Sequence, residues 1–294
     1  MNSPFFSIIV PAGRLVKAME NVRRWSAAEG DDYEIVVVTP QSETVDLEHP
    51  KVIWVRTERL FPPGAMRNRG VAIARGEHLV FCDDDVEVDV ADMRSLTVRA
   101  KSEGPRVAVG CRVCARYSFW AHCADYCLFS CYQGFDEAWD VVLGSALLVV
   151  DRNIFTKLGG FDEALLACED WDFCMKLKRN GGVTLFVPTV EAVHRHGRER
   201  LRATLACSYR YGSLAGMTVQ ERYPELTSAR ARLNTALPGP FWSALKLLPQ
   251  SAYYCLQVAQ RSLRRDPILL CYLPMVFLSR AFFLAGTARP IEKT

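Results

Sequence analysis

The 294-residue chain contains no internal repeat and no low-complexity segment, so its organisation has to be read from secondary-structure patterning. Its first seven residues lack a basic region followed by a long apolar stretch. The apolar run after Phe5 is only a strand long, so no secretory signal is expected. A disulfide framework is absent too. The eleven cysteines are odd in number and scattered through a chain of ordinary enzyme size, which favours a reducing, cytoplasmic compartment. With 50% of residues apolar and 11% aromatic, the chain is too hydrophobic to be disordered. It is long enough for one large domain or two small ones.

Net charge is also small, at +3, but it is unevenly placed. Residues 200–294 hold 13 Lys and Arg against 4 Asp and Glu, a net of +9, so residues 1–199 carry −6. An acidic front and a basic, apolar back point to two jobs. In the front, β-rich runs at 6–10, 34–38, 52–55 and 78–82 alternate with helical patterns at 14–28 and 65–75. This alternation predicts a parallel, doubly wound sheet whose ligands bind at the carboxyl ends of the strands. Further strands are expected at 107–110, 141–150 and 183–187, with a helix over 169–179 stopped by Gly181 and Gly182. Beyond residue 198 the strand signals vanish. Residues 241–263 place Phe241, Leu245, Leu248, Ala252, Leu256, Ala259 and Leu263 on one helical face despite Pro249. Residues 268–288 are long enough to span a bilayer, but Pro274 and Arg280 interrupt them, which favours docking at a membrane surface.

The segment Phe81-Cys82-Asp83-Asp84-Asp85 carries the strongest chemical signal. Three adjacent carboxylates after an apolar strand repel one another unless a cation is present, and hard divalent ions take carboxylate oxygens. In extended backbone Asp83 and Asp85 point one way and Asp84 the other. An acidic turn capping the helix expected near Asp89 is the alternative. Cys111-x-x-Cys114 precedes Cys123, Cys127 and Cys131, a permissive zinc spacing, but no second Cys-x-x-Cys follows and buried free cysteine is the simpler reading.

The acidic triplet lies in a series of motifs. Upstream come the first strand with Pro11 and Ala12, then Gly64-Ala65-Met66-Arg67-Asn68-Arg69-Gly70 and Ala74-Arg75-Gly76-Glu77. Downstream come Gly159-Gly160-Phe161-Asp162-Glu163, Glu169-Asp170-Trp171-Asp172, Pro188 and His194. In this order the motifs resemble the family 2 glycosyltransferases of the GT-A fold, over roughly residues 5–197. The resemblance implies an α/β fold with a doubly wound mixed sheet flanked by helices over residues 1–197. The C-terminal helical, basic and apolar segment, 198–294, is expected to associate with membrane.

By the same resemblance, Pro11, Ala12, Arg67, Asn68, Asp83 and Asp84 belong to the donor side, and Asp85 and His194 to a divalent cation, Mn2+ or Mg2+. Gly160, Phe161, Asp162 and Trp171 lie on the acceptor side. Asp170 is implied as the general base, with Glu169 and Asp172 flanking it. One motif departs from the family, whose Asp near the nucleobase is replaced here by Val38-Thr39-Pro40-Gln41-Ser42-Glu43. Thr39 and Gln41 are then the expected base contacts.

The implied activity is inverting transfer of a sugar from a nucleotide-diphosphate sugar to a hydroxyl acceptor, a cell-envelope or lipid-linked saccharide. It would take place at the cytoplasmic face of a membrane, without nucleic acid. Two rivals are a nucleotidyltransferase, for which Pro11-Ala12-Gly13-Arg14 is a faint phosphate loop, and a non-catalytic sugar-nucleotide-binding protein on the same scaffold.

Overall fold

In the computed structural model, residues 3–214, 222–226 and 240–287 are described, apart from the side chains of 240–246. The side chains of Phe241 and Leu245, like residue 288 of the expected 268–288 helix, therefore lie outside the described residues. The chain divides into two units. The first takes Met1–Val113, Asp136–Ala164 and Glu169–Arg195, and the second takes Cys114–Phe135, Leu165–Cys168 and His196–Thr294. The first unit ends at Arg195, and 114–135 and 165–168 group with the second.

The first unit is built on parallel strands β1 (Phe6–Pro11), β2 (Tyr33–Pro40), β3 (Val52–Thr57) and β4 (His78–Cys82), connected by helices α1 (Leu15–Ser26) and α2 (Pro63–Ile73). After β5 (Val86–Glu87) and α3 (Val90–Glu103), β6 (Val107–Cys114) follows. Helix α4 (Phe119–Leu128) comes next in sequence, in the second unit. The first unit resumes with β7 (Ala138–Trp139), β8 (Leu147–Asp151), α5 (Arg152–Lys157), α6 (Glu169–Arg179) and β9 (Val183–His194). The strand order is β3-β2-β1-β4-β8-β6-β9-β5, with β7 on β9. Antiparallel β8 beside β4 makes the sheet mixed.

The alternation of side chains along the central strands explains the layers. Ile8, Val10, Ile35, Val37, Val80 and Cys82 face one core with residues of α1 and α3. Ile9, Val36, Leu79 and Phe81 face the other, with Phe155, Phe161 and Phe173. Both faces are dry, so these strands read as unbroken apolar runs. Glycine allows α2 to lie close on the sheet: a methyl group at Gly70 would stand 2.7 Å from Ile9 Cγ2.

The second unit is helical. It contains α4, α7 (Leu201–Leu214), α8 (Pro240–Ser262) and α9 (Leu269–Thr287). Its core joins Cys123, Tyr126 and Cys127 of α4 to Val258 of α8 and to Leu269, Tyr272 and Val276 of α9. The Tyr126 hydroxyl donates to Asp266 Oδ2 at 2.7 Å, tying α4 to the α8–α9 turn. Helix α9 is long and apolar enough to cross a bilayer by length and composition. Its Arg280 guanidinium packs over the rings of Tyr254 and Phe283, at 5.1 and 4.8 Å.

Candidate active site

The carboxyl ends of β1, β2 and β4 lie side by side, and the loops leaving them carry the chemistry. Strand β4 ends at Cys82 and the chain turns at once, the Val86 N–H bonding back to the Asp83 carbonyl at 3.2 Å. Residues 83–85 are therefore a turn and not extended, which corrects the expected alternation. Asp84 and Asp85 face the same guanidinium, with Arg14 Nη2 lying 2.5 Å from Asp84 Oδ1 and 2.7 Å from Asp85 Oδ2. Asp83 turns to Arg67 instead.

Arg67 forms the junction of the site. Its Nη2 donates to Asp83 Oδ1 at 2.5 Å and its Nη1 to Glu169 Oε1 at 2.6 Å, with the side chain only 3% exposed. The local sequence explains this approach. Gly64 lies one turn earlier on α2, where a methyl group would stand 3.0 Å from Glu169 Cγ. Burial alone would weaken the guanidinium's hold on its proton, but the charges of Asp83, Glu169 and Asp170 outweigh it and push its pKa up. Arg67, expected on the donor side, is thus buried and engaged by one carboxylate of the acidic turn and one of α6.

Asn68, also expected on the donor side, binds the Phe161 backbone. Its Nδ2 donates to the Phe161 carbonyl at 2.8 Å, and its Oδ1 accepts from the Phe161 N–H at 3.1 Å. Gly159 and Gly160 both adopt left-handed backbone, φ 79° and 65°, and turn the Phe161 ring inward. That ring is buried among Phe81, Phe155 and Phe173, so Phe161 serves the core and not an acceptor. Gly160 is buried beside Asn68, whereas Asp162 and Trp171 keep partial exposure.

Helix α6 opens with Glu169, Asp170 and Asp172 in its first turn, where the helix dipole favours carboxylates. The two members of the acidic pair differ in their partners. Glu169 is buried against Arg67. Asp170 is partly exposed, and its Oδ2 accepts from the Ser145 N–H at 3.0 Å while its Oδ1 accepts from the Trp171 N–H at 2.7 Å. Burial raises the pKa of both, opposed at Asp170 by the Ser145 N–H and the charge of Arg67. Asp172 is fully buried and paired with Lys176 at 3.0 Å. Cys168, just before the helix, has φ 62°, a left-handed conformation uncommon for a non-glycine residue.

Asp85 Oδ1 lies 3.5 Å from His194 Nε2, and both side chains are buried. Burial would raise the Asp85 pKa, but the imidazole of His194 and the guanidinium of Arg14 pull it well below the ordinary carboxylate range. An ionised carboxylate facing an imidazole nitrogen is a pair that could hold a divalent cation. Burial dominates at Asp84, whose pKa is raised despite Arg14. In the second unit, His196 Nε2 lies 3.3 Å from Asp125 Oδ1, both buried.

Of the expected base contacts, Thr39 is fully buried and Gln41 exposed. Pro11 and Ala12 are buried, Ala12 through its N–H bond to the Val38 carbonyl at 2.8 Å, so they offer backbone and not side chains. Ser145 and Arg14 were not singled out as site residues by sequence reasoning. Ser145 sits in the stretch expected to be strand, and the loop Pro11-Ala12-Gly13-Arg14 was the only sign of the latter.

Residues 7–121 match the sequence model of a family described as glycosyl transferase family 2. Over these residues the chain is similar to the family 2 glycosyltransferases. The match contains Arg67 and residues 83–85 and stops short of Glu169 and His194. The fold is of the GT-A type. The mannosyltransferase PcManGT of Pyrobaculum calidifontis, solved with GDP-Man and Mn2+, superposes with a TM-score of 0.60 at 19% identity, over 98% of this chain and 87% of its own. GalNAc-T7, solved with UDP, GalNAc and Mn2+, gives 0.53 at 17% identity, over 73% of this chain and 51% of its own. In sequence, the chain is 26% identical over 170 residues, 51% of its length, to the uncharacterised protein y4gI of Sinorhizobium fredii (strain NBRC 101917 / NGR234). The match spans 19% of that relative's length.

Proposed function

We propose that the protein moves a sugar from a nucleoside-diphosphate sugar to a hydroxyl acceptor, with inversion. The observation that carries this reading is Arg67, whose single buried guanidinium links the acidic turn after β4 to the first residue of α6. A donor-side turn and a general base within one guanidinium of each other are what a single displacement needs.

Asp170 takes the acceptor's hydroxyl proton while the new bond forms at the anomeric carbon and the bond to the diphosphate breaks. The Ser145 N–H orients the receiving carboxylate, and burial makes it a stronger base than an exposed aspartate. Glu169, tied to Arg67, holds the helix start in register. Asp85 and His194 would hold Mn2+ or Mg2+, which when bound supplies positive charge to the departing diphosphate. PcManGT and GalNAc-T7, each solved with Mn2+ and a nucleotide, support the cation and the nucleotide-diphosphate sugar as this chain's ligands.

The acceptor in this reading is a cell-envelope or lipid-linked saccharide at the cytoplasmic face of a membrane. Support comes from the second unit, where Leu248, Tyr253 and Leu256 of α8 and Leu270, Leu278 and Phe282 of α9 are exposed, together with the net +9 of residues 200–294. A panel of sugar nucleotides incubated with the protein and Mn2+ tests the reaction. Release of a nucleoside diphosphate supports the reading, release of pyrophosphate points to nucleotidyl transfer, and no turnover with no binding refutes it.

A further inference from the structure

We infer that Arg14 is a second, protein-borne positive charge for the donor's diphosphate, so that diphosphate binding persists without a divalent cation; this rests on the donor-site reading above. Arg14 leaves the carboxyl end of β1 and precedes α1. Asp84 anchors it through three bonds: the Arg14 N–H to Oδ2 at 2.7 Å, and Nε and Nη2 to Oδ1 at 3.1 and 2.5 Å. Asp84 and Asp85 are each 4% exposed, whereas the Arg14 side chain is 49% exposed. The guanidinium is thus held from beneath and open above. No described residue bonds its Nη1.

The two oxygens of Asp85 are divided. Oδ2 meets Arg14 at 2.7 Å and Oδ1 faces His194 at 3.5 Å. Arg14 can therefore stay in place while the other oxygen serves a cation. A cation on that oxygen would offset the remaining carboxylate charge and strengthen diphosphate binding beyond what Arg14 alone gives. A planar guanidinium matches phosphate oxygens in a way an ammonium does not. Lys17, the next cation along, is committed to the Arg195 carbonyl. The first turn of α1 holds no acidic residue to oppose an anion.

Calorimetric titration of the full chain with UDP, UMP, GDP and GMP, in EDTA and in Mn2+, tests this. In EDTA the wild type should prefer the diphosphate to the monophosphate of its base. Arg14→Gln should lose about 10- to 100-fold in diphosphate affinity with the monophosphate unchanged, and saturating Mn2+ should narrow the gap. Arg14→Lys keeps the charge and should retain the preference at reduced strength, which also covers failure of Arg14→Gln to fold. Equal diphosphate affinity of wild type and Arg14→Gln in EDTA overturns the role of Arg14 alone. A wild type that binds no nucleoside diphosphate in either buffer overturns the donor-site reading and this inference together.

Discussion

Replacing Arg67 with Met leaves Asp83 and Glu169 without the guanidinium that bridges them. Removing one partner of a buried ion pair costs about 3–5 kcal/mol, because the remaining charge stays desolvated. Asp83 is 29% exposed and water will relieve part of its loss, whereas Glu169 at 7% has no such relief. The lower end, about 3 kcal/mol, is therefore expected. In a chain of this size that corresponds to a melting point lower by roughly 6–12 °C.

The deficit should depend on pH. Burial, and then the neighbouring Asp170, raise the Glu169 pKa, while Arg67 pulls it down. Burial likewise raises Asp170, against the Ser145 N–H and Arg67. Their folded-state pKa values lie above the unfolded ones, so the folded state binds more protons and gains stability as pH falls through them. Without Arg67 both rise further. The Arg67→Met deficit should be largest near pH 8 and shrink towards pH 5. The acid limb of kcat/KM should move up by about one unit, since in the proposed reaction Asp170 acts ionised and one unit corresponds to 1.36 kcal/mol. Melting curves and a pH–rate profile measure both effects. A melting deficit that is constant from pH 5 to 8, or an unmoved acid limb, refutes the reasoning.

Asp170→Asn should lower kcat by about 10²–10⁴ while leaving UDP or GDP affinity within roughly twofold; Glu169→Gln should cost less in kcat and more in melting temperature, and the reverse pattern would assign the base to Glu169. Gly160→Ala meets both an unfavourable φ of 65° and Asn68 Oδ1 at 2.8 Å, so denaturant unfolding should show a loss of about 1–3 kcal/mol. Leu256→Glu with Leu270→Glu, both on exposed positions, should weaken co-sedimentation with anionic vesicles at low salt; unchanged sedimentation would remove the membrane from the reading.

Much of the first unit is written in local pattern. The apolar runs became β1, β2 and β4 within a residue or two, because a strand buried on both faces has to be apolar at every position. Gly181 and Gly182 stop α6 where expected, and Pro11, the acidic turn and the Glu169-Asp170 helix start stand at strand and helix ends, where chain direction changes. The stretch 141–150 was less legible. Only Leu147–Asp151 is strand, since the apolar residues before it fill the second core from a loop.

Composition and order alone determined that this chain forms a mixed α/β unit with an acidic turn at a strand end, followed by a basic helical segment. Which cation each carboxylate meets was decided only by tertiary structure. Asp83, Asp84 and Asp85 are consecutive, yet the turn after Cys82 sends the first to Arg67 and the other two to Arg14, a residue 70 positions upstream of Asp84. Glu169 and Asp170 are equally acidic in sequence, and a guanidinium 102 positions before Glu169 makes their surroundings different. Helix α4 likewise looks like part of the first unit until Tyr126 is seen bonded to Asp266. The physical reason is common to all three. Strand and helix periodicity says which face a side chain occupies while the backbone stays regular, but ion pairs form through space across turns, where that periodicity ends.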